Sequence, residues 1–66
     1  MKYKVSYHIE NNITDIFNLP CVWKVIKDKS GPVFYLTDDR VAYTGDWICM
    51  DYEGGWHIVK DDDFWR

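Results

Sequence analysis

The chain has 66 residues, a net charge of −3 and twelve aromatic side chains, four Trp, five Tyr and three Phe. That length suits one domain, residues 1–66, with one thin core, and rings burying about 150–250 Å² each are how so small a core closes. The acidic balance, with no basic run denser than the spaced Lys24, Lys27 and Lys29, excludes duplex nucleic acid as an expected ligand, because phosphate neutralisation supplies most of that affinity.

Residues 2–9 alternate, with Tyr3, Val5, Tyr7 and Ile9 on one face and Lys2, Lys4, Ser6 and His8 on the other, the period of a half-buried strand. The opening Met1-Lys2-Tyr3-Lys4 carries no apolar stretch of signal-peptide length, and nothing approaches a membrane span, so a cytoplasmic protein without a membrane partner is expected. Asn12 then precedes Ile13, Ile16 and Phe17 at i, i+3, i+4 spacing, with Asp15 in the first turn. This predicts a short helix capped by Asn12 and stopped by Pro20. Asn12-Ile13-Thr14 matches a glycosylation sequon, which a cytoplasmic chain leaves unused.

Residues 21–27 and 33–37 are β-branched and aromatic and flank Asp28-Lys29-Ser30-Gly31, a predicted hairpin. Asp38-Asp39-Arg40 is the next turn, and Val41-Ala42-Tyr43 is a short strand or an extended connector. Residues 47–52 and 56–60 form the last hairpin around Glu53-Gly54-Gly55, whose glycines accept positive φ. Asp61-Asp62-Asp63-Phe64-Trp65-Arg66 is an acidic turn or single helical turn that returns its rings to the sheet. The fold class is therefore α+β: an N-terminal strand, one short helix, then an antiparallel β-meander of three to five strands, the helix covering one face.

Catalytic and metal chemistry find little support in the pattern. Cys21, Cys49, His8 and His57 contain no ligand pair at zinc spacing, the Asp61-Asp62-Asp63 run lacks the alternation of a calcium loop, and no cofactor is implied. Cys49 and His57 lie on neighbouring strands, the one arrangement resembling a nucleophile and its base. Packing thiols are nevertheless expected of both cysteines, and the chain reads as a non-enzymatic binder. On a strand Trp47 and Tyr52 fall on opposite faces, as do Trp56 and His57, so some rings are expected at the surface. Rings beside carboxylates suit an interface, and the predicted binding residues are Asp46, Tyr52, Glu53, Trp56, Asp61, Asp62 and Trp65. Carboxylates gathered at one end of the hairpin would favour a protein partner with a basic surface. A ring pair serving a small ligand such as a nucleotide signal, aided by Arg40 and lysines at a dimer seam, is the alternative, and a homodimer is compatible with the surplus of rings.

Gly45, Asp46, Trp47 and Ile48, then Gly54, then Lys60, Asp62 and Phe64, follow one another without a gap. This succession resembles the ending of a family of small phage and prophage proteins, G-D-W-I, a hairpin with Gly at its turn, then K-P-D-x-F. The opening is similar too, in a strand from Val5 to Ile9 followed by Asn12, Ile13, Ile16, Phe17 and Leu19. Thr44, Asp61 and His57-Ile58 stand where the family usually has Pro, Pro and Tyr-Pro. The resemblance implies origin more than activity: a compact accessory protein that inhibits or redirects a host protein, defence systems included, inside the host cytoplasm.

Overall fold

A computed structural model describes residues 2–66. Its elements are β1 (Val5–His8), α1 (Ile13–Phe17), β2 (Val22–Asp28), β3 (Gly31–Leu36), β4 (Val41–Ala42), β5 (Trp47–Met50), β6 (Trp56–Val59) and α2 (Asp61–Phe64). The class is α+β and the strands are antiparallel, but they divide into two three-stranded sheets, β1-β5-β6 and β2-β3-β4. Each predicted hairpin forms, β2 with β3 and β5 with β6, and the weakly patterned Val41-Ala42 pairs with β3 opposite Tyr35 and Phe34. The N-terminal strand crosses the whole chain to pair with β5, Val5 opposite Met50 and His8 opposite Trp47.

The apolar faces of both sheets and of α1 enclose a core of Ile9, Ile16, Leu19, Cys21, Val22, Phe34, Leu36, Ala42 and Ile48. Phe34 lies at its centre, fully buried, and Tyr7, Val25, Trp56 and Ile58 pack at its edge. Tyr7 and Ile9 face the core as the two-residue period selects. Tyr3, expected on the same face, precedes β1, and its ring lies 5.8 Å from that of His57 on the opposite face, because alternation holds only where the strand is paired. In β2 the period slips. A bulge between Val22 and Lys24 lets Val22 face the core opposite Leu36, while Lys24 faces outward opposite Tyr35.

Asn12 occupies the position before α1, but its side chain turns away from the helix. Its amide donates to the His8 carbonyl at 3.0 Å, and its Oδ1 accepts from the Glu10 N–H at 2.9 Å. Closing the β1 to α1 loop thus replaces the expected helix cap, a choice open to Asn because it can serve several nearby backbone groups. The C-terminal acidic segment does form one helical turn, α2, directly after β6.

Candidate functional site

The outward face of β1-β5-β6 carries Ser6 and His8 from β1, Trp47 and Cys49 from β5, and His57 from β6. α2 lies on this face. The Phe64 ring stacks flat on the Trp47 indole, 3.7 Å between centroids and 1° between planes, and His8 stacks near Trp47 at 4.4 Å and 12°. Trp65 meets both Trp47 and Phe64 edge-on at 5.7 and 5.2 Å. Asp61 fastens the cluster, its Oδ1 accepting from Trp47 Nε1 at 2.8 Å and from Trp65 Nε1 at 3.1 Å. The Trp47 hydrogen bond is the main reason the Asp61 carboxyl is held below the usual carboxylate range. His8 Nε2 faces the same oxygen at 3.7 Å, beyond hydrogen-bond reach.

Two adjoining grooves open beside these rings and share Tyr3 and Phe64. The larger, about 850 Å³, runs past Lys4, Ser6, Trp47, Tyr52 and Trp65. The smaller, about 500 Å³, is bounded by Lys2, Val59, Asp63 and Arg66. Trp65 and Tyr52 are the most solvent-exposed large rings of the described residues, at 71% and 68%.

The predicted binding residues separate into three groups. Tyr52, Asp61 and Trp65 build or line the larger groove, and Glu53 and Asp62 are exposed. Tyr52 shares the groove with Trp47 despite the expected opposite faces, because β5 ends at Met50 and alternation does not extend into the turn. Asp46 and Trp56 belong elsewhere. Asp46 is only 6% exposed, accepting from the Tyr43 N–H at 3.0 Å and from Lys60 Nζ at 3.1 Å. It is a buried, paired carboxylate that ties the start of β5 to the end of β6. Trp56 packs on the core from the inner face of β6.

The single acidic end expected of the hairpin is also corrected. Asp46 and Asp61 sit at its open end, Asp51 and Glu53 at its turn, separated by a four-residue strand of about 13 Å. Several of these charges are spent internally. Lys60 pairs with Asp46, Arg66 approaches Asp63 at 4.0 Å, and His57 Nε2 lies 2.7 Å from Asp51 Oδ2. Asp51 also accepts from the Glu53 and Gly55 N–H groups, closing the turn. The residues missed by sequence reasoning are Trp47, Phe64, Tyr3 and Lys4.

Cys49 and His57 are cross-strand neighbours, as the sequence implied. Cys49 is fully buried, and burial pushes its thiol above the ordinary value, the opposite of what a nucleophile needs. Arg40, which the small-ligand alternative would draw on, is held by Asp38 at 2.8 Å in the turn between β3 and β4. Among the described residues no three His, Cys, Asp or Glu side chains gather as a metal site, and no helix is long and apolar enough to cross a membrane.

Fold and site together define a small two-sheet α+β domain with an aromatic groove walled by its C-terminal turn. No family model, curated protein or solved structure matches the chain.

Proposed function

We propose that the protein is a non-enzymatic binding module that engages a protein partner through the groove between the turn of the last hairpin and α2. The observation that carries this reading is the held exposure of Trp65: its indole N–H is fixed by Asp61 and its edge is braced by Trp47 and Phe64, while most of its surface meets solvent. A rigid exposed indole loses little conformational entropy on binding, which is what makes such rings interface anchors. The exposed Glu53, at the hairpin turn, and Asp62, on α2, offer charges suited to basic residues on the partner, and peripheral charges of this kind set orientation and association rate. The resemblance over residues 45–64 supports a phage-type accessory role, inhibition or redirection of a host protein.

Lys2, Lys4 and Arg66 line the grooves beside the rings, and this favours a second reading, a small planar anion such as a nucleotide. One experiment separates the two. Tagged protein is used as bait in host lysate beside a Tyr52→Ala, Trp65→Ala double variant, since neither ring belongs to the core. The expected result is a stoichiometric protein retained by the natural chain and lost from the variant. A bait that returns no protein but releases a nucleotide on heating overturns the protein-partner reading in favour of the second.

A further inference from the structure

β2 is an edge strand. Among the described residues it pairs with β3 alone, and Pro32 opposite Lys27 reveals which of its backbone groups remain unpaired. Proline has no N–H, so the Lys27 and Pro32 pair cannot exchange both ladder hydrogen bonds and is of the non-hydrogen-bonded kind. Alternation along the antiparallel pair then turns the backbone of Lys24, Ile26 and Asp28 toward β3. The N–H and C=O groups of Val25 and Lys27 point to the open edge. Such an edge is a template for another strand unless something guards it.

The side chains along it are complementary to themselves. Lys24, Ile26 and Asp28 share the outward face, Ile26 is 40% exposed, and neither Lys24 nor Asp28 has an ion-pair partner among the described residues. We infer that a second copy of this chain pairs antiparallel along β2, with the twofold axis passing through Ile26. In that register Val25 exchanges two hydrogen bonds with the partner's Lys27, and Lys27 two with the partner's Val25. Ile26 meets the partner's Ile26, and Lys24 faces the partner's Asp28 on both sides of the axis. Ile26, Lys24 and Asp28 all fall in non-hydrogen-bonded pairs, where side chains across the ladder come closest.

Neighbouring registers lose these contacts. An axis through Val25 sets Lys24 against the partner's Ile26, and an axis through Lys27 opposes two lysines. The product is one six-stranded sheet running β4-β3-β2-β2-β3-β4, with the grooves of the other sheet left open, so the inference extends beyond the proposed function and does not depend on it.

Sedimentation velocity across a concentration series tests the pairing by charge reversal. The natural chain is expected to shift from monomer toward dimer mass with concentration. Lys24→Asp and Asp28→Lys should each raise the dissociation constant by about tenfold or more, and the double exchange should restore it. All the exchanged side chains are exposed, and near-UV circular dichroism verifies that each variant is folded. A chain that stays monomeric at its solubility limit overturns the inference, as does a dimer indifferent to the single changes or not recovered by the double one. Amide exchange of Val25 and Lys27 in the natural chain gives a measurement free of variants. Protection should increase with concentration, and concentration-independent exchange would refute the edge pairing.

Discussion

Burial decides the role of the reactive side chains one residue at a time. Asp46 tolerates a nearly closed environment because a backbone N–H and the Lys60 ammonium satisfy it, and Lys60 also lies 5.6 Å from the Tyr43 ring centroid. For Cys21 and Cys49 burial outweighs what favours the charged form, a backbone hydrogen bond and Arg40 at Cys21 and Ser6 at Cys49, and it raises both thiols above their ordinary value. Since the thiolate is the reacting species, both cysteines should resist alkylation in the native protein at neutral pH and react together once it is unfolded. Mass spectrometry after iodoacetamide, with and without urea, measures this; a rapidly labelled native Cys49 would show that its side of the sheet opens readily. Composition supported packing thiols, but Asp46 looked like a surface carboxylate because its partner Lys60 lies fourteen residues ahead, just past the end of β6.

At the scale of elements, α2 is too short to be stable by itself, since a single turn meets the cost of helix nucleation without the gain of propagation. It persists by docking, through the stack of Phe64 on Trp47 and the two indole hydrogen bonds to Asp61. Because the Asp61 carboxyl is depressed in the folded chain, its contribution is present above the ordinary carboxylate value and is lost as pH falls through the lowered folded value. Acid should therefore loosen α2 from the sheet and change Trp47 and Trp65 emission. Asp61→Asn should flatten the part of the fluorescence titration due to this group, and an unaltered acid limb would assign that transition to another carboxylate, Asp51 being lowered chiefly by its hydrogen bond to His57. The return of the C-terminal rings to the sheet was legible in the acidic, aromatic tail, whereas their seat on Trp47 was not. The path of Tyr52 was not, because strand alternation carries no information past the residue where pairing stops.

For the molecule as a whole, the strands and their order were legible, and the partition into two sheets was not. A two-residue period reports that one face of a strand is buried, but it is silent on which strand lies beside it. β1 pairs with β5 some forty residues away, and this contact brings Ile9 and Ile48 into one core with Phe34. So small a domain has little stability in reserve. At ~0.05–0.15 kcal/mol per residue, 66 residues hold about 3–10 kcal/mol. Replacing a buried Phe by Ala costs about 3–5 kcal/mol through lost transfer energy and the cavity left behind. Phe34→Ala should consequently remove most of the stability, whereas Tyr52→Ala, at an exposed ring, should change it by no more than about 0.5 kcal/mol. Urea denaturation followed by circular dichroism compares the two directly. If both sheets share the Phe34 core as one cooperative unit, the variant's far-UV and Trp signals will fall together at a lower midpoint. Separate transitions, with the Trp-rich sheet outlasting the other, would mean that β1-β5-β6 and α2 hold together without the common core, and the groove would then survive damage to the opposite sheet.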